Sequence, residues 1–379
     1  MKIKDNTIFC SVASFRDKIC NDTLKSIYEN ARYPKNVYVG ICQQNKEEDN
    51  DCKINFEDNP NVRIIRIPHY EARGPVLARY LCASLWDGEE YFLQIDSHMK
   101  FVKDWDIICI DAIKELKKIG VKKPVISYYP REYTDIENMT EKDKHMVPRI
   151  CKSFFNSRDM ISYLGPEILD TKDQFYQVPF VTGGFFFCES KFLQEVPYDP
   201  NLPYLFVGEE ILHSIRFYTN GWDIYSPKEN IVFHYYTRKD EPKVWTDNKD
   251  YKDSDALEKV KYYIKFVNDD SKLSPSMKIN LDKYGLGQER SLDDFYNFAG
   301  IDVENKKVTK NFCRENNEAT EEDITKSNEK NWVVEGFKIL NKKCNFSSLI
   351  IGLILLIILI YFIYYLFFTS KSYKKYSRR

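Results

Sequence analysis

Apolar runs and helical spacings alternate along the first third of the chain. Short apolar runs predict β-strands at Thr7–Ala13, Asn36–Cys42, Val62–Pro68, Tyr91–Ile95 and Pro124–Tyr129. Between them, apolar residues recur at helical spacing in Cys20–Ala31, Gly74–Trp86 and Trp105–Ile119. Because strands and helices alternate, we predict an α/β domain with a parallel sheet that is covered on both faces.

Two polar segments follow predicted strands of this sheet, namely Ser14-Phe15-Arg16-Asp17 and Asp96-Ser97-His98. Ligands of such sheets bind beyond the carboxyl ends of the strands. Alternate side chains of an extended segment share one side, so Asp96 and His98 point the same way. A carboxylate and an imidazole together suit Mn²⁺ or another divalent cation. The alternative is that Asp96-Ser97 only begins a loop, with His98 on the surface.

Residues 177–227 contain a second group of candidate positions. Gly183 and Gly184 let the backbone approach a ligand closely, although a tight turn explains them equally well. Glu209 and Glu210 begin a helical run that continues to Tyr218. Two acidic residues at a helix start are also ordinary partners of the helix dipole.

The chain has no P-loop and no GxGxxG motif, which are the common phosphate-binding loops. Any contact with a phosphate group of a ligand would therefore have to come from a metal ion and from arginines. Arg73 and Arg79 flank the start of the Gly74–Trp86 helix, whose first amides also favour an anion. A solvated surface charge is the alternative for each arginine. His234 follows another apolar run, where a histidine is a ligand only if partner ligands lie beside it.

Several of these motifs resemble a known family. The motifs are ASFRD (13–17), IDSHMKF (95–101), TGGFFF (182–187), FVGEE (206–210), FHYYTR (233–238) and YGLGQERSLDDFYNFAGID (284–302). Their combination resembles the hydroxyproline-linked polypeptide N-acetylglucosaminyltransferases, glycosyltransferase family sixty, over roughly residues 5 to 305. Their order is more distantly similar to the polypeptide N-acetylgalactosaminyltransferases. The resemblance implies a glycosyltransferase-A fold, a UDP-sugar donor, a divalent cation (Mn²⁺ or Mg²⁺) and retention of the anomeric configuration.

The resemblance also implies roles for individual residues. The metal ligands are Asp96, His98 and His234. The residues at the nucleotide, the phosphates and the donor sugar are Ser14, Arg16, Asp17, Arg73, Arg79, Asp96, Gly183, Gly184 and Glu209.

The catalytic candidates are Glu209 and Glu210, although the family's preferred mechanism is same-face attack, in which the departing phosphate accepts the acceptor's proton. Val207-Gly208-Glu209-Glu210 stands where the galactosamine enzymes have Trp-Gly-Gly-Glu-Asn, so lid behaviour and sugar choice do not transfer.

Composition adds little about the partners. The net charge of −1 gives no argument for a nucleic acid. The ten cysteines form no CxxC pair and no zinc spacing, and several lie in apolar runs. We therefore expect reduced, buried thiols, which suit the cytosol, although an even count also permits pairing.

The C-terminal region differs in composition from the catalytic domain. Residues 309–346 form a polar stalk in which 331–343 fits an amphipathic helix, and 369–379 form a basic tail. Residues 349–368 are uncharged and long enough to cross a bilayer as a helix. The N-terminus lacks a secretory signal, so we expect a C-terminal anchor with the catalytic domain facing the cytosol. The excess of basic residues after the span points weakly to the opposite orientation.

We thus predict a catalytic domain at residues 1–308 on a membrane-anchored chain. Its activity is a metal-dependent, retaining transfer of a sugar, GlcNAc, from a UDP-sugar to a hydroxyl of a protein or peptide acceptor, such as hydroxyproline. The alternatives are a membrane-tethered nucleotide-sugar-binding module without turnover and a nucleotide-sugar phosphohydrolase.

Overall fold

The computed structural model describes residues 2–53, 55–238, 240–248 and 251–320. Most of the predicted stalk, the predicted span at 349–368 and the basic tail lie outside these residues. Within them, no helix combines the length and the apolar character needed to span a bilayer.

Seventeen strands form in the described residues. In chain order they are β1 Lys4–Phe15, β2 Val37–Asn45, β3 Val62–Pro68, β4 Glu89–Asp96, β5 Met99–Phe101, β6 Pro124–Ser127, β7 Arg131–Glu132, β8 Met146–Arg149, β9 Ser153–Phe155, β10 Ile161–Tyr163, β11 Glu167–Asp170, β12 Tyr176–Gln177, β13 Phe185–Glu189, β14 Asp223–Ser226, β15 Val232–His234, β16 Ile301–Asp302 and β17 Lys307–Val308.

Ten α-helices form in the same residues. They are α1 Cys20–Asn30, α2 Pro75–Ala83, α3 Trp105–Lys118, α4 Glu141–Lys144, α5 Phe192–Glu195, α6 Glu209–Thr219, α7 Val244–Asp247, α8 Ser254–Tyr263, α9 Leu281–Tyr284 and α10 Leu292–Ala299. Short 3₁₀ helices lie at Pro34–Asn36, His69–Glu71 and Tyr133–Asn138. Each strand and helix predicted between residues 7 and 129 is present, with ends shifted by a few residues.

Eight strands form the central sheet in the order β12-β14-β6-β13-β4-β1-β2-β3. The β1, β2, β3 and β4 strands are parallel, and so are β6 and β14. The prediction of a wholly parallel sheet is wrong, because β13 runs antiparallel between β4 and β6, and β12 antiparallel to β14. The α/β class is correct, but the sheet is mixed.

Both faces of the sheet are covered, as predicted. Along β1, Ile8, Cys10 and Val12 pack into one apolar cluster together with α1 and α3. The intervening Phe9 packs into another cluster, which includes Phe217 of α6. This alternation follows from the strand's period of two, and burial on both faces explains the continuous apolar run.

The packed region continues beyond residue 308. Phe312 is buried, and its ring lies 5.6 Å from that of Phe298 and 6.4 Å from that of Phe180. The first residues of the predicted stalk therefore contribute to the core of the catalytic domain.

Four cysteines are paired by disulfides, Cys20 with Cys52 and Cys151 with Cys313. The expectation of reduced thiols is therefore wrong for these four. Five further cysteines are free and buried, at positions 10, 42, 82, 109 and 188. Because disulfides persist in oxidising surroundings, the pairing removes the thiol argument for a cytosolic domain.

Candidate active site

Asp96, His98 and His234 meet at the carboxyl end of β4. Asp96 is the last residue of β4, and the short strand β5 begins directly after His98. β15 pairs antiparallel with β5 so that His234 lies opposite Met99. One ligand atom from each of the three side chains lies within 4.8 Å of the others. Strand pairing thus gives His234 the partner ligands that its sequence neighbours do not provide.

The contacts in this group are close. Asp96 Oδ2 lies 3.2 Å from His234 Nε2, and the rings of His98 and His234 are 4.6 Å apart in an edge-on arrangement. Burial favours a higher pKa of Asp96, but the hydrogen bond to His234 and the charges of His98 and Arg79 hold it well below its usual value. Burial, together with His98, lowers the pKa of His234 despite its contact with Asp96. An ionised carboxylate beside a neutral imidazole is the protonation state that binds a metal ion.

The three side chains fit a divalent cation. One carboxylate oxygen and two imidazole nitrogens suit Mn²⁺, and they leave coordination positions for phosphate or water. Ligand atoms of one six-coordinate ion lie about 3 Å apart when the bonds are about 2.1 Å, which is close to the Asp96–His234 separation. In addition, Nδ1 of His234 is buried without a hydrogen-bond partner.

The three candidate metal ligands Asp96, His98 and His234 are called the metal group below. Arg79 of α2 connects this group to α6. Its buried guanidinium is paired with Glu209, donates to the Gly183 carbonyl at 2.8 Å and lies 3.4 Å from Asp96 Oδ1. Burial alone would lower the pKa of Arg79, but the carboxylates of Glu209 and Asp96 raise it. Arg79 therefore stays cationic inside the site, and the surface-charge alternative is wrong for it.

Gly183 and Gly184 lie against charged side chains. A Cβ at Gly183 would come within 3.2 Å of Arg79 Nη1, and one at Gly184 within 3.2 Å of Asp96 Oδ2. The Gly183 carbonyl also accepts from Gln94 Nε2 at 2.7 Å. The missing side chains thus allow the backbone to lie beside the metal group and Arg79.

Glu210 holds the same glycine segment from the other side. Its carboxylate accepts from the Gly183 amide at 2.8 Å and from the Tyr129 hydroxyl at 2.8 Å and 2.9 Å. Burial raises the pKa of Glu210 to about 7, although these two hydrogen bonds act to lower it. Glu209 and Glu210 are therefore both engaged with residues of the site, and a direct catalytic role for either stays a prediction.

The segment that follows β1 forms the wall next to His98. Asp17 is buried and lies 2.7 Å from His98 Nδ1. Arg16 bonds to Asp49 at 2.7 Å and 3.0 Å and to Asp247 at 2.7 Å, which ties this segment to α7. Ser14 is buried, and its carbonyl accepts from Gln44.

Arg73 is placed differently from Arg79. Its guanidinium donates to the carbonyls of Tyr70 and Ala72, both at 3.0 Å, and its centre lies 5.6 Å from the centre of the Tyr204 ring. The structure thus brings Asp17, Arg79, Glu209 and both glycines to the metal group, but it directs Arg73 to neighbouring backbone.

Comparison with known families identifies the family of this chain. Residues 7–58 and 53–305 match the model of the family described as Glycosyltransferase (GlcNAc), which is well over half of the chain. The chain belongs to this glycosyltransferase family. No curated protein sequence matches it. The prediction of a glycosyltransferase is confirmed, while the hydroxyproline-specific subfamily stays a prediction.

Solved structures similar to this glycosyltransferase include that of GalNAc-T7 with UDP, GalNAc and Mn²⁺. The two chains share 13% sequence identity, and the TM-score is 0.51. The match covers 77% of the present chain and 56% of the GalNAc-T7 chain. This likeness shows a shared mixed α/β fold, and the present chain spans little more than half the length of GalNAc-T7. S. aureus TarS 1-349 in complex with UDP-GlcNAc is also similar, at 13% identity and a TM-score of 0.42, with 67% and 64% covered.

Four further residues of the glycosyltransferase join the site without having been predicted. The Tyr129 hydroxyl donates to Glu210, and Gln94 Nε2 donates to the Gly183 carbonyl. Asp247 accepts a hydrogen bond from Arg16. Arg238 lies 3.5 Å from Asp17. Arg238 belongs to the FHYYTR motif, which is the one signal that could have singled it out. The other three act through contacts between segments distant in sequence.

Proposed function

We propose that the chain is a metal-dependent, retaining glycosyltransferase that moves GlcNAc from UDP-GlcNAc to a hydroxyl of a protein, such as hydroxyproline. The observation that carries the proposal is the convergence of Asp96, His98 and His234 within 4.8 Å at the carboxyl end of β4. Family membership supports the transferase reaction. The description of the family supports GlcNAc as the sugar, and the motif resemblance supports the hydroxyproline acceptor.

The arrangement is suited to stabilising a departing diphosphate. When bound by Asp96, His98 and His234, a divalent cation would neutralise the negative charge that develops on the leaving group. Arg79 adds a fixed positive charge that is already oriented by Glu209 and the Gly183 carbonyl. Charges that are oriented before the reaction lower its barrier without a reorganisation cost.

Same-face attack fits the hydrogen bonding of the two carboxylates. In this reaction the acceptor oxygen forms the new bond to the anomeric carbon, the sugar–phosphate bond breaks, and the departing phosphate takes the acceptor's proton. Glu209 is paired with Arg79, and Glu210 is held by Tyr129 and Gly183, so neither is presented as a free nucleophile. Their contacts support a role in positioning the glycine segment and Arg79.

The experiment is to incubate the purified full chain with UDP-GlcNAc and Mn²⁺, with and without a prolyl-hydroxylated peptide. We expect slow release of UDP alone and faster release with transfer to the peptide. Release of UMP would instead indicate a phosphohydrolase, and binding without release would indicate a nucleotide-sugar-binding module. Either of those results contradicts the proposal.

A further inference from the structure

The carboxylate of Asp17 is held on every side. The left-handed backbone at Arg16, with φ of 48°, turns the chain out of β1 just before Asp17. Oδ1 of Asp17 accepts from the Ile19 amide at 3.0 Å. Oδ2 accepts from the Ser97 hydroxyl at 2.7 Å and lies 3.5 Å from Arg238. The carboxylate therefore has one orientation, and that orientation aims Oδ2 at His98.

The contact with His98 determines which ring nitrogen is available to the metal group. Oδ2 of Asp17 lies 2.7 Å from Nδ1 of His98. Because a carboxylate oxygen accepts hydrogen bonds, this contact places a proton on Nδ1 of His98. Nε2 is then left as a lone-pair donor for an ion shared with Asp96 and His234.

We propose that Asp17 is a positioning residue of the metal centre, whose carboxylate holds the Nδ1–H of His98 and thereby fixes the tautomer and orientation in which Nε2 binds the ion. A carboxylate that orients a metal-binding histidine typically contributes about 10- to 100-fold to metal affinity. This role is separate from the nucleoside contact that the motif resemblance implies for Asp17, which stays a prediction. The inference rests on the proposed metal-dependent function.

Asp17→Asn is the discriminating change because it replaces one carboxylate oxygen by an amide nitrogen and preserves the volume of the side chain. If the amide oxygen keeps the Ile19 hydrogen bond, the amide nitrogen faces His98 Nδ1 and presents a donor where a donor already points. The His98 proton is then favoured on Nε2, the nitrogen that must bind the ion. We expect the Kd for Mn²⁺ to rise by about 10- to 100-fold.

A matched control is Asp106→Asn. Asp106 is also a buried carboxylate, and it accepts from the Arg32 amide at 2.8 Å and the Tyr33 amide at 2.9 Å. Its partners lie outside the metal group, so the substitution is expected to lower stability without changing the Kd for Mn²⁺. An equal rise in Kd for both variants would assign the effect of Asp17 to general destabilisation and overturn the proposal.

The experiment is a Mn²⁺ titration of the full chain, read by electron paramagnetic resonance with saturating UDP. Asp17→Asn is compared in the wild-type and His98→Ala backgrounds. If Asp17 acts through His98, its substitution weakens Mn²⁺ binding in the wild type but has no further effect in His98→Ala. The same loss in both backgrounds, or none in the wild type, overturns the inference.

Two further measurements separate the possible failures. If wild type and Asp96→Ala bind Mn²⁺ equally, the proposed metal function fails and this inference fails with it. If Asp17→Asn does not fold, nitrogen NMR of the histidine-labelled wild-type chain still tests the tautomer of His98. A proton on Nδ1 supports the proposal, and a proton on Nε2 contradicts it.

Discussion

Asp96 Oδ2 lies 3.2 Å from His234 Nε2, although the two residues are 138 positions apart in the sequence. The contact exists because β15 is added antiparallel to β5, directly after the strand that ends at Asp96. Strand pairing therefore brings the residues of the metal group together.

Arg79 and Glu209 form a buried ion pair that connects α2 to α6. Arg79→Ala leaves the Glu209 carboxylate buried without its counter-charge, which we expect to lower the free energy of unfolding by about 3–5 kcal/mol. In Arg79→Ala/Glu209→Ala the combined loss is expected to be smaller than the sum of the single losses. Urea unfolding of the four proteins measures this coupling, and additive losses would show that the pair is not coupled.

Gly184 is expected to be needed for its lack of a side chain. In Gly184→Ala the new Cβ must displace the Asp96 carboxylate by a few tenths of an ångström from a position set by Arg79 and His234. We expect about a 10-fold loss of UDP release with little loss of stability. Gly165→Ala is the control, since a Cβ there meets nothing within 4 Å. Equal activities of the two variants would contradict this account.

The pKa of Glu210, raised to about 7, predicts a pH dependence of stability. Between the ordinary glutamate value of 4.5 and about 7, the folded state binds the Glu210 proton more tightly than the unfolded state does. Glu210 therefore stabilises the fold at low pH, and this contribution is lost as the pH rises through about 7, by at most about 3 kcal/mol.

Glu210→Gln removes this titration. We expect the Tm of the wild type, relative to that of Glu210→Gln, to fall as the pH rises from 4.5 to about 7. Thermal unfolding at several pH values measures the difference. A difference that does not change with pH would show that Glu210 titrates normally.

The stereochemistry of the product follows from the same-face reaction. We expect an α-linked sugar from the α-linked UDP-sugar donor, and the coupling of the anomeric proton in an NMR spectrum distinguishes the two linkages. A β-linked product would exclude same-face attack and would remove the support that the motif resemblance gives.

Local patterns were sufficient for part of the site. The period of the strand before Asp96 predicted that Asp96 and His98 share one side, because a strand places alternate residues together whatever the rest of the fold does. The prediction that Arg79 and Gly183 lie near the donor came from the motif resemblance. The structure adds the contacts that make these residues one site.

Other features depend on long-range pairing, which local patterns do not contain. The apolar run of β13 looks the same in either strand direction, so its antiparallel placement between β4 and β6 was missed. Cys151 and Cys313 are 162 residues apart, and their pairing depends on the packing of Phe312 onto the domain. The contact of Asp17 with His98 depends on the turn at Arg16.

The most direct test of the account is the Mn²⁺ dependence of UDP release from UDP-GlcNAc by the wild type, His234→Ala and His145→Ala, after removal of metal with a chelator. His145 serves as the control because its Nδ1 faces the Lys228 carbonyl, outside the metal group. We expect added Mn²⁺ to restore the wild type and His145→Ala, while His234→Ala stays at least about 10- to 100-fold less active. Restoration of His234→Ala by the same Mn²⁺ concentration would remove His234 from the site and contradict the proposed metal centre.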